Sequence, residues 1–383
     1  ACYWYRQAAE QGEEGAQCSL GLMYQRGEGL ERDLDQAEYW YLQAAEQGLD
    51  QAFVNLGFLY NGDEEAKRDI QKAAYWFNQA AEQGNAMAQF NLAAIYLDNG
   101  EGPEGLAEAT KWFTASAENG NVRAQLHLGQ IYEGGRGGSP NAEQALHWYQ
   151  MAADHGSSDA QCNLGVVYIS GQIVEQDFSE GLRWLQKAID QNNLYAITAL
   201  GELFEGGLGV PQDNSQAVHW FQTAADQGFS QAQYKLGAMY NNGAGVDQSN
   251  TQALAWLQKS ADQGHPIAQY DVGVIHYHGR SVPQDYHEAM RWYRLSAEQG
   301  CADAQNNLGM IFHSGLGVER DDATALHWYS LAAEQEFAGA QYNMGYMYLH
   351  GFGVEKNSVE ATKWFRRAAD QGLEQAVALF EGQ

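Results

Sequence analysis

Every tryptophan in this chain lies 36 residues from the next, from Trp4 through Trp40, Trp76, Trp112, Trp148, Trp184, Trp220, Trp256, Trp292 and Trp328 to Trp364. Self-similarity at a fixed period of about 20 to 50 residues marks a repeat array, whose units bury their apolar faces against their neighbours. The 383 residues would suit roughly two or three globular domains. Because the register never breaks, residues 1–383 read instead as a single domain.

Other columns keep the same period. Ala16, Ala52 and Ala88 open one that runs to Ala376, and four residues on come Leu20, Leu56 and Leu92, often followed by glycine, as at Gly21, Gly57 and Gly129. Four further on are Tyr24, Tyr60 and Tyr96. Positions i, i+4 and i+8 share one face of an α-helix, so this is the first helix of each unit. The second carries the tryptophan, as in Gln36 to Ala45, where small alanines beside a large ring let helices approach closely. Gly12, Gly48 and Gly84 begin a column suited to a left-handed helix C-terminus, from which Asn192 and Glu336 depart. Turns such as Gly207-Leu208-Gly209-Val210 and Gly315-Leu316-Gly317-Val318 join the two helices, with glycine supplying positive φ and valine expected on the core. Alternating β-branched runs are missing. The fold class is all-α.

The unit Ala-Gln-x-x-Leu-Gly-x-x-Tyr-x-x-Gly-x-Gly-Val, then Ala-x-x-Trp-Tyr/Phe-x-x-Ala-Ala-x-Gln-Gly, is legible at Ala232 to Val246 with Ala253 to Gly264. It resembles the Sel-one-like repeat, a relative of the tetratricopeptide repeat. The resemblance implies a right-handed α-solenoid, or superhelix, of about ten to eleven 36-residue helix-turn-helix repeats, in a family of adaptors and secretion-linked proteins. Asn61 to Arg68 and Gly134 to Pro140 replace the usual turn without changing its length, as expected of a surface diverging around a fixed frame. Trp4 already lies in a second helix and Gln375 to Gln383 lie in a first, so the array reads as cut from a longer protein. Uncapped ends would allow end-to-end self-association.

With 49 acidic against 21 basic residues, the net charge is -28. Nucleic acid is disfavoured as a partner, since phosphate contacts need clustered Lys and Arg, and a basic protein or peptide is favoured. Eleven carboxylates from Glu10 and Glu46 to Asp370 form one column at the second-helix C-terminus, where they oppose the helix dipole. A bond to backbone N–H groups of the next helix is the expected compensation. The residue before each tryptophan, such as Lys111, Arg183, Arg291 and Lys363, is expected to pair along that stripe or form a docking strip. Four cysteines, Cys2, Cys18, Cys162 and Cys301, make no disulfide framework, and only Cys2 with Cys18 could meet. No apolar run reaches the length of a membrane span, so membrane insertion is not expected. Localisation stays open between cytoplasmic and, with a native signal removed, periplasmic or secreted.

No nucleophile and base stand at a recognisable spacing, and no cofactor motif is present. His276 and His278 with His313 and His350 are the best metal candidate, yet no carboxylate or cysteine joins them at ligand spacing. A site is therefore sought among binding residues. Asn55, Asn91, Asn163, Lys235, Asp271, Asn307 and Asn343 occupy one column just before the core leucine position, on the helices that line the concave side of related solenoids. Asn is a mediocre helix former, so the column is either an amide ladder between repeats or a clamp on a partner backbone. Phe90, Tyr234, Tyr270 and Tyr342 run beside it, with Phe58 and Tyr346 one turn on. Such rings serve either interface hot spots or packing. The preferred reading is a non-enzymatic scaffold or adaptor, bacterial in style, that binds a protein or peptide, with Tyr234 to Tyr346 as its footprint. By resemblance, an immunity protein sequestering a phospholipase-type effector is the alternative, and a cysteine-poor relative of β-lactam-binding hydrolases the third.

Overall fold

In a computed structural model the described residues are 2–62, 67–99, 102–135 and 140–379. Residues 63–66 and 136–139 of the two variant turns, and 380–383 of the final expected helix, lie outside them. Among the described residues the chain forms twenty-two helices and no strand, an all-α solenoid of paired helices. It divides into two compact units, Ala1–Asn193 and Leu194–Gln383. Within each, every helix packs against the next in chain order.

Local chemistry sets the helix ends. Second helices start after an acceptor side chain that takes backbone N–H groups of the first turn: Asp33, Asp69, Asn141, Asp177, Asp213, Ser249, Asp285, Asp321 and Asn357. Each such cap is worth about 1 kcal/mol. Gly105 stands at the equivalent position of the remaining repeat, whose helix Gly102–Glu118 begins earlier and runs longer. Second helices end on left-handed residues, and the two departures from glycine adopt the same conformation, Asn192 at φ 59° and Glu336 at φ 61°.

In the turns, the second glycine of Gly-x-Gly-Val is needed twice over. Gly245 has φ 74°, and a Cβ there would lie 2.3 Å from the backbone oxygen of Asn214, at the start of the preceding second helix. Ser281 occupies the same position of its own turn at φ 65°. Serine pays for a left-handed backbone that glycine adopts freely, so Ser281→Gly is expected to stabilise the protein by about 1 kcal/mol. A raised midpoint in urea checks this, and a lowered one refutes it.

The deepest packing lies one residue beyond the tryptophans. Tyr41, Phe77, Phe113, Tyr149, Leu185, Phe221, Leu257, Tyr293, Tyr329 and Phe365 are all buried. Each contacts the residue after the core leucine position on the adjoining first helix, usually glycine. A Cβ at Gly129 would stand 2.3 Å from the Tyr149 ring, and one at Gly309 2.6 Å from Tyr329. The tryptophans form a shallower layer: Trp148, Trp184 and Trp292 are buried, Trp4 is 74% exposed, and the others are half-buried.

An amide ladder joins the repeats, on glutamines and not on the asparagine column. Buried Gln17, Gln89, Gln125, Gln161, Gln233, Gln269, Gln305 and Gln341 each donate Nε2 to an alanine carbonyl eight residues back, as Gln269 does to Ala261 at 3.1 Å. In six of them Oε1 accepts from a glutamine 30 residues on, as in Gln299 to Gln269 at 2.8 Å. Asn119 and His155 take that place for Gln89 and Gln125. One side chain thus ties three successive helices, satisfying groups that would be costly to bury unpaired.

Two expectations about charge are corrected. The acidic column takes side-chain amides from its own helix, not backbone N–H groups of the next: Asn78 donates to Glu82, Gln150 to Asp154, Gln222 to Asp226 and Gln258 to Asp262. These amides lie one turn back, on the same helix face, and reach the carboxylate before any neighbour does. The bases before tryptophan pair with carboxylates three residues earlier, as in Lys111–Glu108, Arg183–Glu180, Arg291–Glu288 and Lys363–Glu360. They do not pair with the acidic column.

Candidate functional site

In the unit Leu194–Gln383, three helices build a cavity of about 340 Å³. Tyr277 comes from Pro266–His278, Met310, His313 and Ser314 from Ala302–Ser314, and Tyr342, Asn343, Tyr346 and Met347 from Ala338–His350. These are all first helices, and Tyr329 of the second helix Asp322–Glu334 closes the lining. Helix periodicity explains the grouping, because Tyr346 stands one turn on from both Tyr342 and Asn343. The lining is aromatic and thioether-rich with a few polar groups, a composition suited to binding.

The rim is held in place. His313 Nδ1 is 2.7 Å from Asp322 Oδ1, and the same carboxylate takes Arg320 Nη2 at 2.8 Å. The Arg320 contact, ahead of that of His313, holds the Asp322 carboxyl below its ordinary value. Tyr346, 40% exposed, has its ring centroid 4.4 Å from His350 and 5.9 Å from Phe352. Burial pushes the Tyr329 phenol up, so it stays a neutral donor.

Of the residues singled out in the sequence, Tyr342, Asn343 and Tyr346 meet in this cavity. Tyr234, Lys235, Tyr270, Asp271 and Asn307 belong to the same unit. Tyr234 stacks on His265 at 4.8 Å, while Lys235 is bound to Glu202 at 3.0 Å and Glu205 at 3.6 Å. Asn307 lies beside the phenols of Tyr270 and Tyr293. Asn343 donates to Asn306 Oδ1 at 2.9 Å. Asn55, Phe58, Phe90, Asn91 and Asn163 lie in the other unit. There Asn55 donates to Cys18 Sγ at 3.2 Å, Asn91 folds back on the Met87 carbonyl at 2.8 Å, and Asn163 lies beside the Tyr149 phenol. Phe58 and Phe90 set their edges on Phe77 and Phe113. The asparagines therefore have individual partners and form no uniform row of free amides.

Asp271 is the one carboxylate among the column residues named above. Among the described residues it has no hydrogen-bond or ion-pair partner, and burial, then the charge of Asp303, pushes its carboxyl up to about 6. Tyr277, Met310, His313, Ser314, Tyr329 and Met347 complete the cavity and were not singled out for partner binding. Tyr277 and His313 share one column with Gln25, Asn61, Glu133, Glu205 and Asn241, and their change to aromatic rings was the available signal. The four cysteines are free, and among the described residues no group of three His, Cys, Asp or Glu could hold a metal.

The Sel1 repeat profile matches residues 1–13, 15–49 and 54–85, then every 36-residue step from 86–121 to 338–373. This chain belongs to the Sel1 repeat family. It is similar to the crystal structure of a protective antigen present in uropathogenic Escherichia coli strains, described as displaying an SLR fold. The identity is 36%, the match covers 97% of this chain and 80% of that one, and the TM-score is 0.60. A Sel1 repeat protein from Oxalobacter formigenes is similar at 35% identity, over 80% of this chain and 89% of that one, with a TM-score of 0.57. Among curated proteins none matches. Sel1 repeat proteins are in general non-catalytic scaffolds that bind other proteins.

Proposed function

We propose that this Sel1 repeat protein is a non-enzymatic scaffold that holds a protein partner on the first helices of the unit Leu194–Gln383. The observation that supports this most directly is the cavity of about 340 Å³ lined by Tyr342, Asn343 and Tyr346 together with Tyr277 and Tyr329. Tyrosine gives a large contact area at low entropic cost and is frequent in interface hot spots. The rigid helices beneath hold these rings in place, so binding pays little for ordering them.

The test is affinity purification from the native source with the wild-type protein and with Tyr342→Ala/Tyr346→Ala. The expected result is a partner that the double variant no longer retains, while helical circular dichroism is unchanged. Tyr39→Ala/Tyr75→Ala, which removes exposed rings from second helices of the other unit, should retain it. A partner held equally by the cavity variant would overturn the placement.

A further inference from the structure

The first helices of the unit Leu194–Gln383 carry a one-sided set of charges. Leu194–Gly206 has Glu202 and Glu205, Pro266–His278 has Asp271, and Ala302–Ser314 has Asp303. Ser230–Asn242 supplies the cation of the set, Lys235, which is already bound to both Glu202 and Glu205. Asp271 is left without a cation, between Tyr234 and Lys235 on one side and Asp303 and Asn307 on the other, with Tyr293 of the intervening second helix beneath. A partly desolvated carboxylate in that position gains from any cation a partner brings, because free and bound states differ in its solvation and pairing. Further along the same set of helices, four tyrosines line the cavity, and aromatic rings are favourable neighbours for a guanidinium or ammonium group.

We propose that the partner docks through a basic segment, one arginine or lysine side chain entering the cavity among Tyr277, Tyr329, Tyr342 and Tyr346 and another meeting Asp271. This rests on the placement proposed above and adds the chemistry of what is bound. Binding then favours the ionised form of Asp271, whose carboxyl sits at about 6 in the free protein. Affinity is therefore expected to rise from pH 5 to pH 7 and level off above. His276, His278, His313 and His350 lie on the same helices. The Asp271→Asn variant separates the contribution of Asp271 from theirs.

Fluorescence anisotropy with labelled hexa-arginine, and with hexa-citrulline as its neutral isostere, provides the test. At physiological salt Tyr342→Ala/Tyr346→Ala should bind hexa-arginine about tenfold more weakly, the size of two cation–π contacts. Wild-type affinity should fall about tenfold from pH 7 to pH 5, while Asp271→Asn binds more weakly at pH 7 and changes less. A triple variant of the second-helix column, Asp262→Asn/Glu298→Gln/Glu334→Gln, removes more charge and should stay within about twofold, since those exposed sites are screened. The proposal is overturned if hexa-citrulline binds as well as hexa-arginine, if the triple variant weakens binding as much as Asp271→Asn, or if the pH dependence is as large in Asp271→Asn as in the wild type. In each of those cases a native partner lost from Tyr342→Ala/Tyr346→Ala would still support the scaffold placement, so the two readings fail separately.

Discussion

Phe221→Ala is expected to cost about 3–5 kcal/mol, and Trp220→Ala about 2 kcal/mol, although tryptophan is the larger side chain and never varies between repeats. The difference follows from depth. Phe221 is buried on all sides and lies so close to Gly201 that a Cβ there would stand 2.6 Å from its ring. Removing it leaves a cavity between two helices that cannot close without shifting both. Trp220 is half-buried, and its indole nitrogen has no hydrogen-bond partner, so truncating it exposes less core and strands no polar bond. Urea unfolding of both variants gives the comparison. A larger loss for Trp220→Ala would mean that the tryptophan layer, and not the ring behind it, locks the helix pair.

That inversion shows what the sequence made legible. A strict period names the frame but does not rank its members by depth, because Trp220 and Phe221 recur with the same register and differ only by about 100° around the helix. The helix pairs, their turns and the left-handed ends at Asn192 and Glu336 were readable, since each depends on contacts within a few residues. The caps at Asp213 and Asp321 were hidden for a different reason: in so acidic a chain a carboxylate reads as surface charge, and only the backbone shows which N–H groups it accepts. The glutamine ladder was hidden by distance. Gln269 and Gln299 are 30 residues apart, and the family pattern containing both says nothing of which amide faces which. At the site, Tyr342, Asn343 and Tyr346 were readable as variable residues on one helical face. The partners that turn them into a cavity, Tyr277 and Tyr329, come from helices whose approach follows from packing.

Asp271→Asn is expected to stabilise the free protein at neutral pH by no more than about 3 kcal/mol, the equivalent of a carboxyl raised from 3.8 to about 6. Its sign follows from which form the fold prefers. Burial and the charge of Asp303 favour the neutral acid, so the native state keeps its full stability below 3.8 and loses some as the pH rises to about 6. Above that value the penalty is constant. Asparagine has a similar helix propensity and no charge to desolvate, so the gain should be present at pH 7 and vanish by pH 4. Unfolding midpoints of both proteins at the two pH values decide it: an equal gain at both, or a loss at pH 7, would show that the carboxylate is not desolvated as described. Hexa-arginine should then narrow the difference at pH 7, because a bound cation relieves in the wild type the cost that the substitution removes. A residue that weakens the free protein and recovers that loss only with a cation in place is explained by its partner, as packing alone would favour the asparagine found at Asn307 and Asn343.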